Sequence, residues 1–142
     1  MPETEPGPSA DPAAASLGPF ADHIGLRLTH ADGDEVVGEW EAGTHLHQPF
    51  GLVNGGAHST VVETLASVGA GLWLGDRGTV VGVSNQTDFY RAVGTGVLHS
   101  RATPVHRGRS QQVWLVETRD GEGRLVARGQ VRLHNLARPS NT

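Results

Sequence analysis

A long apolar segment that ends at Leu74 constrains the fold of this chain most strongly. Within it, Ala57, Val61, Leu65 and Leu72 recur at the spacing of one face of an α-helix, and a second apolar row runs beside them. A helix that is apolar around most of its circumference is normally buried. The sequence therefore predicts one long buried helix, which the rest of the chain must cover.

Glu63 is the carboxylate of this predicted helix. Residues 45–74 contain no lysine or arginine that could pair with it. A buried carboxylate without a cation is costly, and such groups concentrate at functional sites. The pattern indicates a chemical role for Glu63, and a structural carboxylate with a partner elsewhere in the chain is the alternative.

The start of the helix is a second candidate for function. Asn54 is a suitable N-cap, and Gly55 and Gly56 would then be the first helical residues, with N–H groups that have no partner inside the helix. Such donors suit an anion or a developing oxyanion, although a glycine pair is also typical of tight packing. Glu63 follows Gly55 by two turns, about 12 Å along the axis. Both groups therefore serve different ends of a site, or they come from two copies of the chain.

The remaining segments predict strands around the helix, with glycine-rich turns between them. Residues 1–17 are expected to be a disordered tail, and residues 18–138 a single domain. A short helix is expected at 17–24. The predicted strands are 25–29, 35–41, 79–92, 96–105, 111–119 and 124–136. One buried helix and about six antiparallel strands give an α+β fold in which the sheet curls around the helix.

Composition narrows the classes of function. The chain has 142 residues and no cysteine, which excludes a disulfide framework, a cysteine nucleophile and a thiolate metal site. No run is long enough to span a membrane, and a cytoplasmic protein is expected. Residues 77–142 contain ten of the eleven arginines and only four acids, which favours an anionic ligand. Few aromatic residues and a net charge of -4 argue against nucleic acid.

Histidines and arginines near these segments suggest two further sites. His45, His47 and His58 do not form a convincing metal site, because no cysteine joins them and a ligand set needs matched geometry. His58 is expected to be packed or to face solvent. Arg107 and Arg109 flank a glycine in a turn, an arrangement that suits a phosphate. A solvated hairpin tip is the alternative.

Three stretches resemble the hotdog-fold acyl-CoA thioesterases. They are Gln-Pro-Phe-Gly-Leu-Val-Asn-Gly-Gly-Ala from Gln48 with Glu63 downstream, Val-Val-Gly-Val at 80–83, and His-Arg-Gly-Arg-Ser-Gln-Gln-Val-Trp at 106–114. The resemblance covers residues 18–136 and is greatest to the 4-hydroxybenzoyl-CoA and 1,4-dihydroxy-2-naphthoyl-CoA thioesterases, in the phenylacetate-pathway-like branch. It implies a hotdog domain, with a long central helix wrapped by a curved antiparallel sheet.

The resemblance also implies roles for particular residues. Glu63 matches the catalytic carboxylate, Gly55 the oxyanion donor, Gln48 the glutamine near the thioester carbonyl, and Ser67 a hydroxyl that helps to place water. Asn54 stands where many relatives have histidine, and Phe89 where some have a polar ring. The matching coenzyme A region comprises Gly82, Phe89, Tyr90, Arg91, His106, Arg107, Gly108, Arg109, Ser110 and Gln111.

Hydrolysis of an aryl or medium-chain acyl-CoA is thus the predicted function. It needs no metal or other cofactor, since coenzyme A is part of the substrate. The resemblance implies a homodimer, extended to a dimer of dimers, with sites shared between subunits. Two alternatives stay open: a hotdog dehydratase with His47 as the catalytic base, and a non-catalytic acyl-CoA binding domain.

Overall fold

A long helix covered on one side by a six-stranded sheet makes up most of the fold. The computed structural model describes residues 16–139, so most of the predicted tail lies outside the described residues. The helices are α1 (Pro19–Ile24) and α2 (Gly55–Leu74), with short 3-10 turns at Thr44–Leu46 and Gly75–Arg77. The strands are β1 (Arg27–Ala31), β2 (Val36–Glu41), β3 (Gly78–Phe89), β4 (Val97–Arg107), β5 (Gln111–Arg119) and β6 (Leu125–Ala137). The predicted elements are confirmed, with boundaries shifted by up to three residues.

The strand order is β1-β2-β4-β5-β6-β3, and each neighbouring pair is antiparallel. β3 follows α2 directly in the chain but pairs with β6, so it lies at one edge of an open sheet. It runs back along α2, which brings Gly82 beside Glu63 and Phe89 beside Gly55. This pairing places the edge strand against the residues that the sequence singles out.

The core lies between α2 and the inner face of the sheet. Val61 and Leu65 on the helix are fully buried, as are Trp114 and Val116 on β5. Gly69 lets the helix approach the sheet closely, because a Cβ at this position would lie 2.6 Å from the Trp114 ring. The predicted apolar row therefore holds the helix against the sheet at Val61 and Leu65, but Leu72, which the sequence places in the same row, is 41% exposed.

Arg77 closes the other end of α2. Its guanidinium donates to the carbonyl oxygens of Leu74 at 2.9 Å and Trp73 at 2.8 Å, and it lies 4.5 Å from the centre of the Trp73 ring. A cation at this position satisfies carbonyl groups that have no helical partner and stabilises the helix dipole.

None of the helices in residues 16–139 has the length and apolar character needed to cross a membrane.

Candidate active site

The first turn of α2 presents a free backbone donor. Asn54 caps the helix as predicted, and its Oδ1 accepts a hydrogen bond from Gly56 N–H at 2.8 Å. Within residues 16–139 no hydrogen bond uses the N–H of Gly55. This donor sits at the positive end of a helix dipole, where it can stabilise a negative oxygen.

Phe89, at the end of β3, packs against Gly55. A Cβ on Gly55 would lie 2.7 Å from the Phe89 ring, so only glycine permits the ring to pack this closely. Phe89 is nevertheless 55% exposed, and it stands at the boundary between the helix start and solvent.

Glu63 lies at the middle of α2 with a neutral partner. Its Oε2 accepts from Asn85 Nδ2 at 3.1 Å, and the same amide group donates to the Ser59 carbonyl at 3.0 Å. Thr87 Oγ1 donates to Asn85 Oδ1 at 2.7 Å, which fixes the orientation of the amide. Within residues 16–139 Glu63 makes no ion pair, so its negative charge is not offset by a cation. The carboxylate is half-buried, less than the sequence suggested.

Asn85 is a partner that sequence reasoning missed. Asn85 and Thr87 lie on β3, in register with Val131 and Gly129 of β6, which are buried against the helix. Two polar residues on the inner face of a strand are the signal that could have revealed them.

Gly82 is required by the position of the Glu63 carboxylate. A Cβ on Gly82 would overlap Oε1 of Glu63, so the bare backbone of β3 forms one side of the carboxylate site. The structure thus places Gly82, one of the predicted coenzyme A residues, next to the predicted catalytic carboxylate.

A cleft of about 380 Å³ opens beside Glu63, between α1 and α2. Leu17, Phe20 and Ala21 line one side, and Ser59, Thr60, Glu63, Thr64 and Asn85 line the other. A larger groove of about 550 Å³ crosses the outer face of β4 and β5 at Arg101 and Arg119, and neither Glu63 nor Gly55 lines it. The smaller cleft is therefore the better candidate for the place where the reacting group of a substrate binds.

Gln48 lies in the loop before α2, and the oxygen of its side-chain amide is hydrogen-bonded within that loop. Its Oε1 accepts from the N–H of Phe50, which leaves the Nε2 hydrogens as the free end of the amide. Its backbone N–H also donates to the Leu52 carbonyl at 2.8 Å, which tightens the loop. Gln48 can therefore act as a hydrogen-bond donor. Ser67 is half-buried one turn after Glu63.

His58 is packed, not exposed. It is 4% exposed, and its ring centre lies 5.2 Å from that of Trp40 and 5.8 Å from that of Phe89. Its Nδ1 is buried without a hydrogen-bond partner among the described residues, and burial lowers the pKa of His58 to about 4.

His47 Nε2 contacts the Gly94 carbonyl at 2.7 Å. Residues 16–139 contain no cluster of three side chains that could hold a metal ion.

Two groups of candidate coenzyme A residues, 89–91 and 106–111, lie at opposite ends of α2 within one chain. Residues 89–91 adjoin the start of α2, whereas the 106–111 segment adjoins its end, where Gln112 Nε2 donates to the Ala70 carbonyl at 3.1 Å. Gly55 and Trp73 are about 27 Å apart along the helix. One chain therefore does not bring these residues to a single phosphate group.

Arg107 is held by contacts within the chain. Its Nη1 donates to the Gly33 carbonyl at 2.6 Å and to Asp34 Oδ1 at 2.8 Å, and its guanidinium lies 5.6 Å from the Trp73 ring centre. Arg109 is exposed and makes no ion pair within residues 16–139. The two arginines of the turn are therefore not equivalent.

Comparison with known proteins identifies the family. The model of the Thioesterase superfamily matches residues 50–127, more than half of the chain. This chain belongs to the thioesterase superfamily. The matched residues include Gly55 and Glu63, and the hotdog fold and the thioesterase resemblance predicted from the sequence are confirmed.

Several relatives of this thioesterase-family chain have similar sequences or structures. The crystal structure of S. sahachiroi AziG has 56% sequence identity and a TM-score of 0.85, and the match covers 87% of this chain and all of that one. Rv1847 of Mycobacterium tuberculosis is 42% identical, with coverage of 95% and 99%. The proofreading thioesterase EntH of Cronobacter turicensis is 35% identical, with coverage of 78% and 81%. Family membership supports a hydrolase that acts on thioesters.

Proposed function

We propose that the protein hydrolyses an acyl-CoA thioester, with an aryl or medium-chain acyl group, to the free acid and coenzyme A. The observation that carries this proposal is the Glu63 carboxylate, whose one side-chain partner within residues 16–139 is the Asn85 amide and which opens on a cleft. Such a carboxylate keeps the electron density that a nucleophile or a general base needs.

Two routes give the same products. As a general base, Glu63 takes a proton from water while the water oxygen bonds to the thioester carbon. As a nucleophile, Glu63 forms an anhydride with the acyl group, which water then cleaves. In both routes the carbon–sulfur bond breaks, the sulfur leaves with a proton as the coenzyme A thiol, and the water oxygen ends in the acid. The N–H of Gly55 and the Nε2 hydrogens of Gln48 stabilise the oxyanion, and Ser67 helps to place the water.

The site is assembled from two subunits in this proposal. Gly55 and Glu63 of one helix are about 12 Å apart along its axis and cannot share one carbonyl. β3 is an edge strand, and an exposed edge is suited to pairing with a second copy. A twofold axis between Asn85 and Gln86 would set Gly82 of one strand opposite Phe89 of the other. Since Gly82 lies beside Glu63 and Phe89 beside Gly55, this pairing would join the two groups across the dimer.

The same pairing would bring the separated coenzyme A residues into one binding site. Residues 89–91 lie at the start of α2, and residues 106–111 lie at its end. Antiparallel pairing would bring residues 89–91 of one copy towards residues 106–111 of the other. Arg109 is the arginine of the turn that remains available for a phosphate. A dimer of dimers and a cytoplasmic location, where coenzyme A is the carrier, complete the proposal.

The two alternative functions make different demands on the site. A dehydratase would use His47 as its base, but His47 Nε2 is engaged with the Gly94 carbonyl. A binding domain would have no use for a half-buried carboxylate without a cation, because such a group opposes an anionic ligand.

Release of free thiol from a panel of acyl-CoA thioesters tests the proposal against both alternatives. The parent should release thiol and free acid in equal amounts, whereas Glu63→Gln should release almost no thiol. A dehydratase would change the acyl group without releasing thiol, and a binding domain would bind the thioester unchanged. Thiol release that is equal in the parent and in Glu63→Gln would contradict the role of Glu63.

A further inference from the structure

Asn85 reaches the Glu63 carboxylate from the neighbouring strand β3. Its amide nitrogen donates to the Ser59 carbonyl at 3.0 Å and to Glu63 Oε2 at 3.1 Å. The Asn85 side chain is exposed, so these two hydrogen bonds, and not burial, hold it against the helix. Both N–H groups of the amide are therefore directed to α2, and one of them is directed to the carboxylate itself.

Thr87 determines which end of the Asn85 amide faces Glu63. Its Oγ1 donates to Asn85 Oδ1 at 2.7 Å, which leaves the amide nitrogen to face the helix. The reverse orientation would set Oδ1 against a carbonyl and a carboxylate, and neither group can donate a hydrogen bond to it. Gly129, opposite Thr87 on β6, leaves room for the hydroxyl, because a Cβ at this position would lie 2.6 Å from Oγ1.

A neutral donor is a suitable partner for a carboxylate that must act as a base or a nucleophile. A lysine or arginine in this place would stabilise the negative charge more strongly and would make the oxygens less basic. An amide fixes the orientation with a smaller loss of basicity. Since Oε2 is bonded to Asn85 and Oε1 lies against the backbone of Gly82, rotation of the Glu63 carboxylate is restricted on both sides.

We propose that Asn85 is a positioning residue that orients the Glu63 carboxylate for the reaction, and that Thr87 in turn orients Asn85. The inference rests on the proposed thioesterase function. Misplacement of a catalytic group by about 1 Å can cost about 10²-fold in rate, so a half-buried glutamate gains from a fixed partner. The alternative is that Asn85 only ties β3 to α2, which predicts a loss of stability without a specific loss of kcat.

Asn85→Ala separates the positioning role from a structural one. At a pH high enough for kcat to be constant, kcat should fall at least about tenfold, while KM for an acyl-CoA changes by less than about twofold. The melting temperature should change little, because an exposed amide exchanges its protein partners for water. A lower melting temperature with parental kcat, or a higher KM with parental kcat, would overturn the positioning role.

The Thr87 hydroxyl is tested by a pair of variants. Thr87→Val keeps the branched side chain and removes the hydroxyl, so kcat should fall about fivefold. Thr87→Ser keeps the hydroxyl and should remain within about twofold of the parent. Thr79→Val, at an exposed position near the start of β3, is the matched control and should leave kcat unchanged. Equal losses in the serine and valine variants of Thr87 would show that packing, and not the hydroxyl, is what matters.

A spectroscopic titration separates this inference from the proposed function. Carboxyl ¹³C NMR follows the ionisation of Glu63, and the signal that is missing in Glu63→Gln identifies it. Asn85→Asp replaces the donor by a second carboxylate of the same shape, which opposes the ionisation of Glu63. The midpoint of the Glu63 titration should therefore rise by about one pH unit relative to the parent.

The two outcomes of the titration have different consequences. If the parent hydrolyses no thioester but the midpoint rises in Asn85→Asp, the contact between Asn85 and Glu63 stands and the thioesterase proposal is wrong. If the midpoint is the same in both proteins, the two side chains do not meet in solution, and the positioning role is wrong whatever the activity.

Discussion

At the scale of single residues, the proposed chemistry requires the charge of Glu63 more than its volume. Glu63→Gln keeps the shape of the side chain and its contact with Asn85, but it removes the charge. We expect kcat to fall by at least about 10³-fold, with little change in the melting temperature. Steady-state kinetics and a thermal melt measure both quantities. Activity within tenfold of the parent would show that Glu63 is a structural residue.

His58 makes the stability of the fold depend on pH. Its pKa in the folded protein is about 4, below the ordinary value of 6.5, because the ring is buried against Trp40 and Phe89. The unfolded chain therefore binds a proton at His58 that the folded chain does not, between pH 6.5 and pH 4. The free energy of unfolding should fall as the pH falls through this window, by about 3 kcal/mol at most from this group.

Urea titrations of the parent and of His58→Phe across this window measure that contribution. The phenylalanine variant should lose less stability between pH 6.5 and pH 4 than the parent, since it has no proton to take up at this position. Parallel curves for the two proteins would show that His58 does not oppose protonation in the folded state.

At the scale of elements, the packing of β3 on α2 sets the position of the carboxylate. Gly82→Ala would push a methyl group into Glu63 Oε1, so kcat should fall at least about tenfold while the circular dichroism spectrum is retained. Gly71→Ala is the control. Its Cβ would meet only Val80 Cγ2 at 3.9 Å, and alanine favours the helix. Gly82→Ala with parental kcat would mean that the carboxylate can move without cost.

In the turn between β4 and β5, Arg107 is held by contacts within the chain, and the proposal assigns phosphate binding to Arg109. Arg107→Ala removes the contacts with Gly33 and Asp34, so the melting temperature should fall by a few degrees, equivalent to about 1 kcal/mol. Arg109→Ala should raise KM for an acyl-CoA several-fold and leave kcat unchanged, because phosphate contacts bind the ground and transition states alike. The KM effect should vanish with an acyl-pantetheine. Equal KM effects on both substrates would instead assign Arg109 to folding.

Prediction from sequence succeeded where the pattern is local. The period of the apolar residues and the Asn54 cap predicted α2. The order of the strands was not predictable, because β3 pairs with the last strand and not with a neighbour in sequence. The same limit applies to contacts between distant positions. Asn85 reaches Glu63 across 22 residues, and Arg107 reaches Gly33 across 74.

At the scale of the whole molecule, one chain does not bring the candidate site residues together. The Gly55 donor, the Glu63 carboxylate and the Arg109 turn are spread along the full length of α2. The edge of β3, which runs beside all of α2, is where a second copy would bring complementary parts together. The central claim is that thioester hydrolysis takes place at sites that two subunits share.

Complementation between two inactive variants tests this claim most directly. In a shared site, Gln48 comes from the subunit that supplies Gly55, and Glu63 comes from the other. A mixed dimer of Gln48→Ala and Glu63→Ala then has one site with both changes and one site with neither. Random re-association makes about half of the dimers mixed, so about a quarter of the parental activity should return.

The measurement is to unfold the two variants together, refold them and assay thiol release, with each variant refolded alone as the control. Recovery to about a quarter of the parental rate is the result we predict. If dimers form again but the activity stays at the level of the separate variants, Gln48 and Glu63 act within one chain, and the shared site is wrong.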